Sequence, residues 1–504
     1  MSYRPHATPA PLLFGYDPVR DLHPQHLARL VERVVEESLP PKLKPNGPGQ
    51  RAFDPRLCAK VLVYGYATGT RSSRQLERQC QESLPYLFLT RGDAPSYRTL
   101  CSFRVHHCQL IEAVWVGLFA VAEQAGIARL GRIVIDSTKI RADAGPEAVV
   151  KESEYEDVLS ELRQIFQEAE AADAKDEREA PGTTHLDKPV DTDQMRDVLR
   201  RVRKQRSRSK PSEASAPDRN PLGPRMLPRI EAAIVAIEEA QEEGRAHACV
   251  TDPDARMMGE GREKRVRECH SFEIAMDNGL LVAGQTSQSA VDNPRLTPLI
   301  EAAQKQEPEG IVAIDADSGY YSGDTIAQLI EKGIDVCIPT PHTACDLHRG
   351  QPVGTTRTNT VGAVVFTYNK ETDQYTCPEG NVLRYRTTST NKGQQLRLYT
   401  AENSCKDCPL RASCGNRPTR TYRNLSVGVH HEVLHANQQR FAQKEHIQRY
   451  HQRGHAIETT FGFLRGVLGY VRWMLRGAKR IAAEAHLFTA ALQIRKIHSC
   501  LTQG

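Results

Sequence analysis

Three acidic residues occupy positions from which they could bind a divalent cation. Asp136 follows the apolar run 131–135, and Asp317 ends the run 310–317. Glu458 lies in a segment whose composition is typical of a helix. Carboxylate oxygens are the ligands that Mg²⁺ prefers, and pairs of such ions catalyse phosphoryl transfer. The three residues therefore suggest a site for cutting and joining DNA.

Each of these residues also has an ordinary interpretation. An aspartate after a strand often caps a turn, and a glutamate in a polar helix is often solvated. Asp315 is an alternative to Asp317, because it lies two residues upstream on the same strand face. The sequence Asp-Ser-Gly-Tyr beginning at Asp317 favours Asp317. The order of the three carboxylates along the chain favours a shared site.

Composition narrows the class of protein. The chain has 504 residues, enough for about three domains. Its net charge is only +5, from 67 Lys and Arg against 62 Asp and Glu, so nucleic-acid affinity must come from local clusters. No apolar run approaches the roughly 20 residues of a membrane helix, and no signal-peptide pattern follows the first residues. We expect a cytosolic protein without membrane contact, whose 13 cysteines are reduced.

The elements that would position the carboxylates begin with a helical region. Residues 1–125 show apolar spacings of three and four, typical of amphipathic helices, and we predict a helical domain there; a DNA-binding role is what the family resemblance described below implies for it. Five arginines of this region could face phosphates, although solvated or paired side chains are the alternative. They are Arg71, Arg74, Arg78, Arg98 and Arg104.

After residue 130 the pattern changes to strands. A strand ending at Asp136, a hairpin around Asn278-Gly279 and a strand ending at Asp317 alternate with helix patterns. This order predicts an α/β fold with a mixed, ribonuclease H-like sheet, interrupted by insertions and preceded by an all-helical N-terminal domain. The predicted catalytic core comprises 130–145 and 250–343, with a C-terminal helical part, 436–504, that carries Glu458.

Two insertions interrupt this predicted core. Residues 146–249 are rich in charge and poor in aromatic residues, which indicates solvated helices joined by a flexible linker. The basic run 200–210 within them could track a DNA backbone or remain a disordered segment with no fixed target. Residues 344–435 contain the clustered cysteines. Cys377, Cys405, Cys408 and Cys414 could hold a structural Zn²⁺, or they could be unbound thiols.

Several segments, taken in order, carry a resemblance to a known family. The chain resembles bacterial insertion-sequence transposases of the DDE superfamily, in particular the IS1182 group, which is IS4/IS5-like. The segments that carry the resemblance are 53–78, 95–104, 135–140, 251–258, 270–277, 316–322, 377–414 and 457–465, with 475–477 and Glu484. Any one of them is a weak match, but their order and spacing together are specific.

The resemblance implies a mechanism. Asp136, Asp317 and Glu458 would bind two Mg²⁺ or Mn²⁺ ions roughly 3.5–4 Å apart. The enzyme would nick DNA at the ends of the element, and the freed 3′-hydroxyl would attack target DNA. Tyr450, Arg453 and Arg465 would contact phosphates near the metals. Arg453 is one residue further from the glutamate than the family pattern expects, and Arg465 stands where lysine is usual.

The implied partners follow from this chemistry. They are double-stranded DNA, in the form of terminal inverted repeats and target, and a second copy of the chain in the synaptic complex. The expected location is the bacterial cytosol, with association to the nucleoid when DNA is bound. Two alternatives remain: a ribonuclease H-fold nuclease that cuts without joining, and a catalytically silent DNA-binding descendant of a transposase.

Overall fold

The computed structural model describes residues 17–40, 53–127, 129–179, 227–260, 265–307, 310–350, 360–361, 364–391, 394–414 and 419–503. The helices are α1 Pro18–Asp21, α2 Leu27–Ser38, α3 Pro55–Ala67, α4 Ser73–Glu82, α5 Leu84–Thr90, α6 Tyr97–His106, α7 Cys108–Gln124, α8 Tyr155–Glu179, α9 Leu227–Glu242, α10 Leu296–Gln304, α11 Gly323–Glu331, α12 Pro341–His348, α13 His431–Phe441, α14 Lys444–Gly466 and α15 Ala478–Gln503. The strands are β1 Arg132–Arg141, β2 Val149–Lys151, β3 His247–Cys249, β4 Arg256–Glu260, β5 Arg265–Asp277, β6 Leu280–Ser287, β7 Ala313–Ala316, β8 Asp335–Cys337, β9 Thr360–Val361, β10 Val364–Val365, β11 Thr367–Asn369, β12 Gln374–Thr376, β13 Val382–Asn391, β14 Gln394–Ala401 and β15 Asn424–Gly428.

The N-terminal region is helical, as its periodicity predicts. Asp54 caps α3 by accepting a hydrogen bond from the Arg56 N–H, and Pro55 occupies the first turn, where its missing N–H costs nothing. Almost every residue of α3 is buried, so this helix runs through the interior. The other N-terminal helices pack around it.

A six-stranded mixed sheet forms the centre of the molecule. The strands run in the order β4-β5-β1-β7-β8, and β6 also pairs with β5. β1, β7 and β8 are parallel, whereas β5 runs antiparallel to β1, β4 and β6. The predicted hairpin turn is present, with positive φ at Asn278 (49°) and Gly279 (80°), which suits a two-residue turn.

One prediction about the first strand is wrong. The apolar run places Asp136 at a strand tip, but β1 continues to Arg141. The physical reason is that β1 has two neighbours of different length. Pairing with β7 stops at Ile135, whereas pairing with β5 continues through Arg141. Asp136 therefore lies within the strand, at the point where its parallel neighbour departs.

The N-terminal helices and the central sheet share one hydrophobic core. Helix α15 passes between them, and its Ile494 and Phe488 are fully buried in the cluster that also contains Leu62 and Ile274. Glu484 of the same helix is fully buried, and it accepts hydrogen bonds from the Met474 and Leu475 N–H groups and the Tyr66 hydroxyl, at 2.9, 3.0 and 3.0 Å respectively. This carboxylate fixes the loop before α15.

The first insertion differs from the prediction of solvated helices. α8 and α9 pack on each other through a separate apolar cluster that includes Tyr155, Leu162 and Ile237, beside the short pair β2–β3. The charged residues of the sequence alternate with enough apolar residues at helical spacing to build this small core. The basic run 200–210 lies outside the described residues.

The second insertion contains an antiparallel five-stranded sheet, in the order β11-β12-β13-β14-β15. Its interior is aromatic, with Tyr375 and Tyr399 at 0% exposure and ring centroids 4.9 Å apart. Within the described residues no single helix is long and apolar enough to cross a membrane. The pair α6 and α7 passes the length and composition test only jointly, and it is bent by 76°.

Candidate active site

The central sheet brings Asp136 and Asp317 together. Ile135 of β1 is in register with Ala316 of β7, and an aspartate follows each of them. Adjacent strands lie about 4.8 Å apart, so the two carboxylates are neighbours. Each is held by the next residue of the chain: the Ser137 N–H donates to Asp136 Oδ1, and the Ser318 N–H donates to Asp317 Oδ1, both at 2.7 Å.

The surroundings of Asp136 favour the binding of a cation. The pKa of this carboxyl is raised to about 6, chiefly by burial and to a smaller extent by the charges of Asp317 and Asp292, against the opposing effects of Arg453 and the Ser137 N–H. Two neighbouring carboxylates with one nearby guanidinium favour uptake of a cation. The arrangement therefore suits a divalent ion.

Helix α14 crosses the ends of both strands and adds polar groups. The Tyr450 hydroxyl donates to Asp317 Oδ1 at 2.9 Å, and Arg453 Nη1 lies 3.4 Å from Asp136 Oδ2. The Arg453 guanidinium also lies over the Tyr450 ring, 4.9 Å from its centroid. Burial, followed by the charge of Asp317, raises the pKa of Tyr450. Both side chains thus contact the aspartates, in positions from which they could reach a phosphate bound there.

Glu458 lies on the same helix but is not gathered into a metal site. Its side chain is exposed, and Oε1 is 4.0 Å from the place a Cβ on Gly454 would take, so it points back along the helix. Among the residues that the structure describes, no group of three or more His, Cys, Asp or Glu is arranged to hold a metal ion. The five-residue step from Arg453 turns Glu458 about 140° around the helix, because each residue turns it 100°. The residue facing the core is Ile457, which is fully buried.

The alternative aspartate, Asp315, is engaged elsewhere. It is 9% exposed and forms an ion pair with Arg449, which also pairs with Asp335. Arg440 contacts Asp335 as well. Asp315 therefore belongs to a network that joins α14 to β7 and β8, which leaves Asp317 as the accessible carboxylate of this strand.

Two residues beside the aspartates carry no role in the sequence analysis. Asp292 Oδ1 accepts a hydrogen bond from the Ser137 hydroxyl at 2.7 Å and lies 3.0 Å from Lys139 Nζ. Lys139 follows Asp136 by three residues, within a segment that resembles the family, so its closeness to the site could have been predicted from the sequence. Asp292 is more than 150 residues away in a loop, and no local pattern marks it.

The arginines predicted to face phosphates divide into two groups. Arg104 is 4% exposed and bonds to Tyr66 and Ser73, so the prediction that it contacts DNA is wrong. Arg71 donates to the carbonyls of Arg472 and Gly469, at 2.6 and 3.0 Å, and is therefore committed to holding the C-terminal loop. The remaining three are exposed: Arg74, Arg78 and Arg98.

Arg465 is also engaged within the protein. It donates to Thr138 Oγ1 and to the Lys139 carbonyl, both at 2.6 Å. These contacts fasten the end of α14 to β1, two residues past Asp136. Arg465 therefore helps to set the position of the helix that carries Tyr450 and Arg453.

The four clustered cysteines line one small cavity beside the five-stranded sheet. Its volume is about 20 Å³, and all four thiols are free: Cys377, Cys405, Cys408 and Cys414. The first lies in a tight turn closed by the Gly380 N–H donating to the Cys377 carbonyl at 2.9 Å. Among the described residues, no three of these thiols come together as a group that could hold a metal ion.

Comparison with known protein families finds two segments of the chain that match a family. Residues 376–498 match the family described as Transposase DDE domain, and residues 18–106 match the Transposase domain (DUF772). Two segments of the chain therefore match transposase domains. This pair of matches is typical of the IS1182 family. The DDE match includes Tyr450, Arg453 and Glu458, whereas Asp136 and Asp317 lie outside both matched segments. No curated protein matches the chain.

Proposed function

We propose that this transposase cuts DNA at the ends of an insertion sequence and joins the 3′-hydroxyl ends to target DNA. The observation that carries the proposal is the pairing of Asp136 with Asp317 on in-register parallel strands. The strand order, with two parallel neighbours on one side of β1 and an antiparallel hairpin on the other, supports a ribonuclease H-like core. The family matches support the same reading.

The donor set fits Mg²⁺ or Mn²⁺. Asp136, Asp317 and Glu458 offer hard carboxylate oxygens, and the proposal requires helix α14 to move so that Glu458 approaches the two aspartates. Such ions, when bound, supply activation of the attacking hydroxyl and stabilisation of the leaving oxygen. We propose two ions at this site.

The chain's own residues have separate tasks in this proposal. Tyr450 orients Asp317 through its hydroxyl, and Arg453 partly neutralises Asp136 until cations and DNA arrive. With DNA bound, the Arg453 guanidinium is placed to contact a phosphate oxygen beside the aspartates. Lys139, paired with Asp292, provides a second cation at the same edge.

Further parts of the proposal concern partners. The exposed Arg74, Arg78 and Arg98 form a surface for terminal inverted repeats, because cations in one region attract the DNA backbone. Joining two ends requires two active sites, so we propose a homodimer in the synaptic complex. A DNA substrate places the protein in the bacterial cytosol.

We also propose a structural Zn²⁺ held by the four cysteines around the cavity of the second insertion. Thiolates suit tetrahedral zinc, and four of them face one small space. Metal analysis of the purified protein tests this: one zinc per chain is expected, and a Cys405→Ser/Cys408→Ser variant should lose it. A metal-free protein with the same thermal stability would exclude the site.

A strand-transfer assay tests the proposed function. Purified protein, Mg²⁺, labelled duplex carrying the ends of the element that encodes this chain, and supercoiled plasmid are incubated together. Joined products, absent with Asp136→Asn, support transposition. Nicks without joined products indicate the nuclease alternative, and binding without nicks indicates the silent descendant.

A further inference from the structure

A cleft distant from the aspartates is lined by five parts of the chain. Its volume is about 780 Å³. The walls are the end of α6, the segment after β1, the start of α9 in the first insertion, the segment 250–254 after β3, and the loop and first turn of α15. Neither the family matches nor the proposed active site gives it a role.

The cleft is basic. Five cations line it against two carboxylates, Asp143 and Asp254, which leaves a net charge of +3 with His106 neutral; the cations are Arg229, Arg472, Arg476, Lys479 and Arg480. Asp143 lies 3.5 Å from Arg472 and 3.0 Å from Arg476, so it offsets part of that pair. Asp254 accepts the Ala478 N–H and a Gln288 N–H and so serves as a helix cap.

Three of the cations form no ion pair within the part of the chain that the structure describes: Arg229, Lys479 and Arg480. All three are exposed. Partial desolvation, followed by the charge of Arg476, lowers the pKa of Arg229, so the two cations repel each other. Such a concentration of positive charge costs free energy unless an anion fills it.

A buried framework holds these cations in place. Asp252, 0% exposed, accepts the Gly477 N–H at 3.0 Å and pairs with the buried His270. The Trp473 N–H donates to the Arg141 carbonyl at 2.8 Å, which docks the loop onto the end of β1. Buried hydrogen bonds therefore hold the segment that carries these cations in a fixed position.

The cleft begins just past the end of the strand that carries Asp136. β1 carries Asp136, and Asp143 at the cleft wall comes seven residues later. At about 3.3 Å per residue, the two lie roughly 20 Å apart. Duplex DNA rises about 3.4 Å per base pair in each strand, so this distance spans about six base pairs.

We propose that this cleft binds the phosphodiester backbone of duplex DNA about six base pairs from the phosphate that is cut. The inference rests on the proposed function, which places that phosphate at Asp136 and Asp317. Lys479 and Arg480 contact the backbone from α15, and Arg229 contacts it from the first insertion. This gives the insertion a role in holding DNA.

The test removes two exposed cations that form no ion pair among the described residues. Binding of the full chain to a 40-base-pair duplex of mixed sequence, without divalent metal, is measured by fluorescence anisotropy over a series of salt concentrations. Lys479→Gln/Arg480→Gln is compared with Lys305→Gln/Lys332→Gln, which removes the same charge from exposed positions outside the lining of the cleft. Arg229→Gln is a separate variant for the insertion wall.

We expect the cleft double variant to bind several-fold more weakly at low salt, with the slope of log K against log salt smaller by about 1 to 2. The control double variant should keep the wild-type slope, and Arg229→Gln should lose up to about 1. If both cleft variants bind DNA with the affinity and salt dependence of the wild type, the proposal that the cleft binds DNA is overturned. Nicking by the wild-type protein would still support the proposed function in that case. If the wild type neither binds duplex nor nicks it, the proposed function fails and the cleft with it.

Discussion

The two aspartates of β7 offer a decisive pair of substitutions, Asp315→Asn and Asp317→Asn. Asp315 is nearly buried against Arg449, so an amide there converts a charge-assisted contact into a weaker one. Arg449 keeps Asp335 as a partner, and the expected loss of unfolding free energy is about 1–2 kcal/mol. Nicking should stay within a few-fold of wild type, because the Asp315 carboxylate is held by Arg449.

Asp317→Asn should behave in the opposite way. It removes a like charge beside Asp136, at a distance where repulsion is on the order of 1 kcal/mol, so stability should be unchanged or slightly higher. The same loss should lower the pKa of Asp136 from its value of about 6, since Asp317 is one of the groups that raise it. Nicking should fall by roughly 1,000-fold or more, equivalent to about 4 kcal/mol in the barrier.

The assay combines urea unfolding, followed by circular dichroism, with Mg²⁺-dependent nicking of an end-bearing duplex. Both variants keep the shape of the side chain, so differences report charge. If nicking survives Asp317→Asn and disappears with a stably folded Asp315→Asn, the assignment of the second carboxylate is wrong.

Three further predictions concern other parts of the molecule. Glu484→Gln should lower the unfolding free energy by about 2–4 kcal/mol, because an amide N–H₂ would meet the Met474 and Leu475 donors. Glu484→Asp is the charge-retaining comparison. An unchanged urea midpoint of Glu484→Gln would contradict the role of Glu484. Burial raises the pKa of Glu307 from 4.5 to about 7. The favourable contribution of the protonated Glu307 to the unfolding free energy is therefore present below pH 4.5 and is lost as the pH rises through 7. Glu307→Gln should therefore raise the unfolding free energy at pH 8, by about 3 kcal/mol at most, and leave it unchanged at pH 4. If the variant and the wild type have the same thermal midpoint at pH 8 as well as at pH 4, this prediction is refuted. Tyr450→Phe should reduce nicking about tenfold by releasing Asp317, and wild-type activity would show that this hydrogen bond is dispensable.

Much of the catalytic sheet was predictable because its determinants are local. The Asn278-Gly279 turn, the Ser322 cap of α11 and the apolar runs before Asp136 and Asp317 each fix an element through neighbouring residues. Their order along the chain then predicts a mixed sheet. The strand limits were less accurate, since the length of β1 depends on β5, which lies about 130 residues away.

The partners of individual arginines were not predictable in the same way. Arg71 lies in the loop before α4 and Arg104 lies on α6, and the sequence around them does not indicate that either is covered. Arg71 docks on a loop about 400 residues away, and Arg104 bonds to Tyr66. Helical periodicity gives the face of a helix but not what covers it. Asp292 was missed for a related reason, because its contacts with Ser137 and Lys139 come only from the tertiary fold.

The central claim is that Asp136 and Asp317, with Glu458, bind the catalytic metal ions. Exchange of each carboxylate for a thiol tests it most directly: Asp136→Cys, Asp317→Cys and Glu458→Cys are assayed for nicking in Mg²⁺ and in Mn²⁺, because the softer ion accepts sulfur more readily. Wild type and Asp315→Cys serve as controls. We predict loss of activity in Mg²⁺ and partial recovery in Mn²⁺ for the three variants alone. Full activity of any of the three in Mg²⁺ would contradict its place among the metal ligands.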